Sequence, residues 1–395
     1  MSVLETDAVG TTALRRPFGL RLPLAVTIAL IPAVFVVAGL VIRYFAYAAA
    51  VPDETLAGFP MGLCRWDCGW YVYIAEHGYH PFPTPGMNAA GNWAFFPLMP
   101  VFVGAVRWLT QLPTMTLAMG ISIAMSYATA VLAWPLLGRN LRAYTLFSAY
   151  LLAGPWSIYF TTFMSEAAFI LLTTGVLLAL ERRNYLAAGV VAGLLSATRI
   201  VGVMMVVAML VQLFAEHRAT GKPLRRFVPA LLKRPKVVLG LLLAPLGAFI
   251  YMAFLDWWVG DGLAFVHVQR AWARAYGNPL QFLWEALASM PKGGFVPTAP
   301  QQLAAAVITG FVLTGMLLWR RKWAGGTFSL ISLTIPLFAG MASTLRFTAA
   351  LAPLALEGAK ILGAHRIVFA VALLGFLVAD YFVTIAWISG ALSLV

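Results

Sequence analysis

The sequence predicts an all-α polytopic membrane protein, and three observations favour that fold class. Hydrophobic residues make up 62% of the 395 residues and charged residues only 10%, whereas soluble domains carry about 25% charged residues. Apolar runs of about 20 residues, the length that a helix needs to cross a bilayer, recur along the chain. Basic residues are concentrated in particular segments between these runs. This composition excludes a soluble enzyme, a disordered chain, a coiled coil and a small disulfide scaffold.

The net charge of +13 arises from 27 basic and 14 acidic residues. In a soluble protein this excess would suggest a nucleic-acid partner. In a membrane protein the basic residues collect in the cytoplasmic loops, which explains the excess without such a partner. We therefore expect membrane lipids as partners and no nucleic acid. The strongly basic loop at 217–236 is predicted to be cytoplasmic, to set the orientation and to contact anionic lipid.

The distribution of charge also predicts the topology. The first apolar run follows Arg15, Arg16 and Arg21, and it is longer than the roughly 7–15 residues of a signal-peptide core. We interpret it as a retained span with a cytoplasmic N-terminus. The loop at 51–93 holds one basic residue against four acids, so it is predicted to lie outside.

The apolar runs predict about eleven membrane-spanning helices within a single membrane domain, 1–395. A first outer loop is expected at 48–113 and a second outer loop at 259–300. The break at 197–200 is predicted to lie at an outward tip or partway into the membrane, and 97–112 to form a helix at the outer interface. The expected spans are 22–47, 115–137, 142–156, 165–181, 184–198, 200–215, 236–258, 301–319, 326–342, 346–361 and 366–391.

The first outer loop is longer than the connections that usually join helices, and such loops are commonly functional. It contains the sequence RWDCGWYVYIAEHGY at positions 65–79. Asp67 stands where a helix N-cap would, and Gly78 where the glycine after a helix would. The short helix between them is rich in Trp and Tyr, which favour the headgroup layer. We therefore predict a helix along the outer leaflet with Asp67 at its positively polarised end.

Two interpretations of Asp67 remain open from the pattern. In the first the carboxylate serves as an N-cap only, and in the second it acts as a general base on a bound hydroxyl. Trp66, Trp70 and Tyr71 surround it in sequence, and their flat rings suit the faces of sugars. An acid that lies where lipid and water meet favours the catalytic interpretation.

The motif at 65–79, followed by FFPLMP at 95–100, resembles the PIG-V type of mannosyltransferase, which belongs to the GT-C class of membrane glycosyltransferases. Shorter echoes are SEAAF at 165–169, ATR at 197–199, the stretch from Gly260 to Trp272, and LRF at 345–347. The resemblance covers most of the chain and is strongest between 65 and 100.

The resemblance implies a GT-C-type helical bundle with short interfacial helices in the first outer loop. It implies transfer of a hexose, mannose in this family, from a polyprenyl-phosphate donor on the non-cytoplasmic face, with Asp67 at the position of the family's acidic residue. The lipid-linked donor is a co-substrate, and no cofactor is implied. The acceptor, a glycolipid or a glycan, does not carry over. The compact chain looks bacterial, which predicts an integral protein of the bacterial plasma membrane with its active site outside.

Arg199 and Arg346 are charges in otherwise apolar helical surroundings, and such residues are functional candidates. A leaving lipid phosphate needs cationic partners, and the planar guanidinium matches phosphate oxygens. The alternatives are an ion pair, a contact with a helix end, or extension to the interface. Glu166, at a predicted helix start, is a candidate for orienting substrate hydroxyls or simply a favourable first-turn acid.

The remaining candidates for substrate contact are His77 and Phe96 in the first outer loop and Gln269 and Trp272 in the second. An ordinary interfacial aromatic belt is the alternative for the second loop. No metal site is expected, because the spacing C-x3-C-x8-H-x2-H of Cys64, Cys68, His77 and His80 does not match the usual zinc spacings. The sequence does not determine whether these two cysteines, the only ones in the chain, form a disulfide or remain thiols.

Two further functions compete with this prediction. A transporter or lipid flippase also has many helices and buried arginines, although such proteins often pair broken helices in two related halves. A GT-C enzyme that moves another sugar would share the same fold.

Overall fold

The computed structural model describes residues 4–6, 12–14, 22–53, 55–82, 91–272, 277–289 and 298–391, and over these ranges the protein is almost entirely helical. Three short antiparallel strands, Leu4–Thr6, Thr12–Leu14 and Leu22–Pro23, pair in the order of the chain, with Leu4 opposite Leu14 and Ala13 opposite Pro23. The described residues that follow these strands are organised as helices and their connections.

The α-helices of the described ranges are α1 Leu24–Ala50, α2 Phe59–Gly62, α3 Cys68–His77, α4 Leu98–Thr110, α5 Thr114–Leu136, α6 Leu141–Ala153, α7 Glu166–Glu181, α8 Tyr185–Ser196, α9 Met205–Ala219, α10 Phe227–Leu232, α11 Pro235–Leu243, α12 Leu246–Val259, α13 Ala264–His267, α14 Pro279–Ala288, α15 Ala299–Trp319, α16 Trp323–Leu337, α17 Thr344–Ala349, α18 Ala352–Leu362 and α19 Arg366–Ile388. Short 3-10 helices occupy Leu56–Gly58, Asn92–Ala94, Ser157–Phe160, Ile200–Met204, Leu224–Arg226 and Val268–Trp272.

Five helical segments of the described chain are long and apolar enough to cross a membrane: α1, α5, Ile200–Ala219, α15 and α19. The pair α11 and α12, bent by 42°, makes a sixth if it counts as one span. These segments agree with a helical membrane protein. The count of about eleven spans is not confirmed, because α6, α7, α8 and α16 contain only 12 to 16 residues, fewer than the roughly 17–25 that a span requires.

The predicted segments nevertheless match helices in position, although two of them are divided. The stretch 236–258 consists of α11 and α12, which meet at the bend of 42°. The stretch 346–361 is not continuous, because α17 ends at Ala349 and α18 begins at Ala352 with Pro353 in its first turn. Proline fits the first turn of a helix but cannot continue one from the preceding residues. The predicted interface helix at 97–112 is α4, and the predicted short helix after Asp67 is α3.

Helix α7 lies at the centre of the bundle and packs against α5 and α8. Its sequence, EAAFILLTTGVLLALE, has apolar residues on all sides, which is typical of a buried helix. Two threonines, Thr173 and Thr174, lie in its interior and donate to the carbonyls of Phe169 and Ile170 on the preceding turn. The only charges of α7, Glu166 and Glu181, stand at its two ends. The helix therefore connects two charged regions through an apolar core.

Glycines allow α8 to approach α11 and α12 closely. Gly189 and Gly193 stand one turn apart on α8, and a methyl group on Gly189 would collide with the carbonyl of Gly240. A methyl group on Gly193 would lie 2.7 Å from the carbonyl oxygen of Leu243. Small residues at this spacing let membrane helices pack backbone to backbone. This contact holds the bent pair α11 and α12 against the centre of the bundle.

Replacing Gly189 by Ala is expected to lower the free energy of unfolding by about 1–3 kcal/mol, because the added methyl group overpacks the interface. Gly375→Ala is the control, since a methyl group on Gly375 meets nothing within 4 Å. That variant should be neutral, or gain up to about 1 kcal/mol from helix propensity. The midpoints of thermal unfolding in detergent compare them, and equal shifts would contradict the close packing.

A buried ion pair joins the first long helix to the last. Nη1 of Arg43 on α1 lies 3.1 Å from Oδ2 of Asp380 on α19, and both side chains are 1% exposed. Arg43 also donates to the hydroxyl of Ser157 and, at 3.0 Å, to the carbonyl of Leu152. The hydroxyl of Ser157 donates to Asp380 at 2.8 Å. The network therefore ties α1 and α19 to α6 and the 3-10 turn that follows it.

Candidate active site

Asp67 immediately precedes α3, at the N-cap position, but its side chain makes no cap hydrogen bond. Its Oδ2 atom instead lies 2.8 Å from Nη2 of Arg346, and the Asp67 side chain is 30% exposed. The cap interpretation is therefore not borne out by the geometry. The carboxylate faces a buried cation on one side and solvent on the other.

The segment that leads to Asp67 is held firmly in place. Trp66 adopts a left-handed backbone conformation with φ of 56°, which few residues other than glycine favour. Nε of Arg65 donates to the carbonyl of Ile388 at 3.0 Å. Cys64 and Cys68 form a disulfide with a Cα–Cα distance of 5.3 Å, which answers the question left open by the sequence. These contacts fix the chain on both sides of Asp67.

Glu166 is the first residue of α7, and its side chain is fully buried. Its Oε1 atom forms an ion pair with Nη2 of Arg199. Nε of Arg346 lies 3.1 Å from the same oxygen, at an angle that does not make a hydrogen bond. The other carboxylate oxygen of Glu166, Oε2, is buried without a hydrogen-bond partner in the described part of the chain. Glu166 therefore stands between the two arginines.

The two arginines reach Glu166 from different segments. Arg199 lies in extended backbone between α8 and the 3-10 turn Ile200–Met204, and its Nε donates to the hydroxyl of Ser165 at 2.8 Å. This is the break that the sequence predicts at 197–200. Arg346 lies in the short helix α17 and is 7% exposed. The break after α8 and the short helix α17 thus each place one cation beside the start of α7.

Together these contacts form a continuous network of Asp67, Arg346, Glu166 and Arg199, which we call the acid–arginine network. The network brings together four residues that stand out separately in the sequence. Two carboxylates balance two guanidinium groups, so the network is close to neutral as a whole. An anion that entered would have to compete with Asp67 for Arg346.

Aromatic rings border the network. Trp70 stacks on Phe95 with ring centroids 5.8 Å apart, and Tyr71 meets the edge of the same ring at 5.4 Å. Burial, together with the Glu166 carboxylate, raises the pKa of Tyr71 to about 12, so its hydroxyl stays protonated and can donate a hydrogen bond. Trp66 is 48% exposed. The arrangement places the buried phenol of Tyr71 near Glu166 and the two arginines, and it leaves one exposed ring next to Asp67 in the sequence.

Several predicted contact residues are not brought to the network. Phe96 is 4% exposed and packs against Tyr251 and Phe265, as a core residue does. His77 is exposed at the far end of α3, about 15 Å from Asp67 by the helical rise. Nε2 of Gln269 donates to the carbonyl of Phe265 at 3.3 Å, in its own segment. The side chain of Trp272 lies outside the described residues.

Phe347 was not a candidate from the sequence, although it adjoins Arg346. The Cζ atoms of Arg199 and Arg346 lie 4.9 and 5.5 Å from the centroid of its ring. A cation over an aromatic ring is attracted by the ring electrons. Phe347 therefore helps to hold the two arginines side by side, and its position next to a buried arginine was the available indication.

The described ranges contain no group of three or more His, Cys, Asp or Glu side chains placed to hold a metal ion. The carboxylates of the acid–arginine network are bridged by guanidinium groups, which occupy the positions that a cation would take. The site presents two guanidinium groups, those of Arg199 and Arg346, and one carboxylate, that of Asp67, which solvent reaches.

The buried ion pair of Arg43 and Asp380 was also not predicted from the sequence. The indication in the sequence was a charge in the interior of each of two long apolar runs, Arg43 in 22–47 and Asp380 in 366–391. In comparisons of the whole chain with known proteins, no protein-family model matches it and no curated protein matches it.

Proposed function

We propose that this protein is a membrane glycosyltransferase that moves a hexose, most simply mannose, from a polyprenyl-phosphate donor to an acceptor hydroxyl on the non-cytoplasmic face. The single observation that carries the proposal is the acid–arginine network, in which a partly exposed carboxylate contacts a buried arginine. Such a transfer requires two groups, a base that is accessible to water and a cation that is shielded from water.

The resemblance to the PIG-V type of mannosyltransferase supports the proposal from a second direction. The short stretches that carry it, at 65–79, 165–169, 197–199 and 345–347, supply one member each of the acid–arginine network. These stretches are far apart in the chain, so their convergence was not implied by their individual patterns. The proposal includes a GT-C-type bundle in which short helices such as α6, α7 and α8 complete the spans.

In the proposed reaction the donor phosphate binds beside Arg346 and Arg199, whose forked donors match its oxygens. The phosphate competes with Asp67 for Arg346 and so frees the carboxylate. The acceptor oxygen attacks the anomeric carbon opposite the phosphate and gives its proton to Asp67. The bond between the anomeric carbon and the phosphate oxygen breaks, and its electron pair stays on the phosphate. The configuration inverts, and the arginines stabilise the departing charge.

Other residues have supporting roles in this proposal. Glu166, fully buried between the arginines, acts as a positioning residue that holds both guanidinium groups toward the phosphate. The hydroxyl of Tyr71 is a donor for a sugar oxygen, and the exposed ring of Trp66 and the stacked ring of Trp70 offer surfaces for the sugar. The donor's hydrocarbon chain would lie between the helices in the membrane.

A transporter or flippase is the second candidate, and the bend of 42° between α11 and α12 favours it, because broken helices are frequent in transporters. An assay of the purified protein in vesicles distinguishes sugar transfer from transport. We expect radiolabelled mannose to pass from polyprenyl-phosphate mannose to an added glycolipid acceptor, and no label to pass from a nucleotide-linked mannose. Movement of the intact donor across the bilayer without sugar transfer would overturn the proposal.

A further inference from the structure

A second charged region lies at the opposite end of the bundle, where α5, α7 and α15 finish. It surrounds a cavity of about 210 Å³ whose lining includes Glu181, Arg321, Lys322, Glu357 and Lys360. Helix α7 runs from Glu166 in the acid–arginine network to Glu181 at the cavity, a rise of about 22 Å. The cavity is therefore separate from the proposed site of sugar transfer.

The carboxylates of this cavity already have cationic partners. Glu357 pairs with Nη1 of Arg320, and Oε1 of Glu181 lies 3.7 Å from Nζ of Lys322. Within the described chain, Arg321 and Lys360 form no ion pair of this kind, and Lys360 is half-buried in the cavity wall. Lys360 is attracted by the carboxylates of Glu357 and Glu181, but the cations of this region outnumber its two carboxylates, since they include Arg320, Arg321, Lys322 and Lys360. The excess of positive charge favours a ligand of negative charge.

Apart from Gln212, the other walls of the cavity are apolar, and they include Leu136, Leu177, Leu180, Leu317, Pro353 and Leu356. Cavities that enclose whole drug-sized ligands are larger, about 300–1,000 Å³. This volume suits a small anionic group, and the apolar walls suit the first part of a hydrocarbon chain attached to it. A phosphate that carries acyl chains has this combination.

The charge around the cavity also indicates which leaflet it faces. The connections that follow α5, α7 and α15 carry Arg139, Arg182, Arg183 and the run from Arg320 to Lys322. Basic residues of membrane proteins are concentrated on the cytoplasmic side, where anionic lipids attract them. A lipid headgroup of the cytoplasmic leaflet is therefore the nearest source of such an anion.

From these observations we infer that the cavity is a binding site for the headgroup of an anionic phospholipid of the cytoplasmic leaflet, held by Arg321 and Lys360. The phosphate would accept hydrogen bonds from the guanidinium and the ammonium group. The first carbons of the acyl chains would lie against the leucines. Nothing in this inference depends on the reaction proposed for the acid–arginine network.

The test is native mass spectrometry of the delipidated full chain in detergent, titrated with phosphatidylglycerol, phosphatidylcholine or inorganic phosphate. We expect saturable binding of phosphatidylglycerol in preference to phosphatidylcholine. The double variant Arg321→Gln with Lys360→Gln should raise the dissociation constant about 30-fold, because each cation contributes about a fivefold preference for anionic lipid. The matched control, Arg142→Gln with Arg366→Gln, removes the same charge from positions outside both the cavity and the basic loop at 217–236 and should leave the constant unchanged.

A third variant, Leu177→Trp, fills the cavity without changing its charge and should also weaken binding. Equal weakening by the control pair would overturn the inference, since it would show attraction by overall charge. Equal binding of the two lipids would overturn it as well. Competition by inorganic phosphate at the same concentrations would assign the cavity to a soluble anion instead of a lipid.

Discussion

Replacing Asp67 by Asn is expected to reduce sugar transfer about 1,000-fold, within the roughly 10²- to 10⁴-fold range that general bases contribute. The amide keeps the size of the side chain and can still accept a hydrogen bond from Arg346, but it cannot take a proton from the acceptor hydroxyl. Initial rates with polyprenyl-phosphate mannose measure the loss. The protein should remain folded, because the Asp67 side chain makes no cap bond to α3.

Asp261→Asn is the matched control for this substitution. Asp261 is also a partly exposed acid with a polar partner, since its Oδ2 atom lies 2.7 Å from Nδ1 of His267, but it lies outside the acid–arginine network. Its replacement should leave transfer nearly unchanged. If Asp67→Asn kept the wild-type rate, or lowered the rate only through loss of folded protein, Asp67 would be excluded as the base.

The second large effect is expected at the Arg43–Asp380 pair. Replacing Arg43 by Met should lower the free energy of unfolding by about 3–5 kcal/mol, because it leaves a buried carboxylate without its cation. Asp380 would keep only the hydroxyls of Ser157 and Thr384 as hydrogen-bond partners. Unfolding of the purified protein in detergent by a denaturant titration measures the change.

The double variant Arg43→Met with Asp380→Leu should recover much of that loss, because replacing both members of a buried pair by apolar residues is often nearly neutral. Arg366→Met is the control, since Arg366 is an exposed residue at the start of α19 and its replacement should cost little. A double variant as unstable as the single one would show that the two charges do not act as a pair.

Positions of helices were predictable from the sequence to a useful degree, because apolar runs and proline or glycine boundaries are local properties of the chain. The short helix after Asp67 and the break at 197–200 were predicted in this way. The split between α17 and α18 was missed, although Pro353 was visible, because a proline does not by itself tell whether a helix stops or bends. Helix ends were less predictable. The predicted spans 184–198 and 326–342 are longer than α8 and α16, whereas α1 and α15 are longer than predicted, because apolar residues of an irregular segment resemble those of a span.

The candidate site was predictable only residue by residue. Asp67, Glu166, Arg199 and Arg346 stood out because a charge in an apolar or aromatic setting requires an explanation. The contacts among them depend on tertiary structure. Asp67 stands at the start of α3 and Arg346 in α17, far apart in the chain, yet the two form an ion pair. Phe96 illustrates the reverse error, because a ring within a motif and a ring within a core look alike in sequence.

The pairing of Arg43 with Asp380 has a consequence for biogenesis. The two residues are 337 positions apart, so at roughly 5–20 residues per second the ribosome delivers the aspartate on the order of tens of seconds after the arginine. An arginine in a nascent membrane helix is costly to leave among lipid tails, and during this interval its long side chain has to reach phospholipid headgroups or water at the surface. Helix α1 is therefore expected to reach its final depth and rotation late, once α19 has emerged.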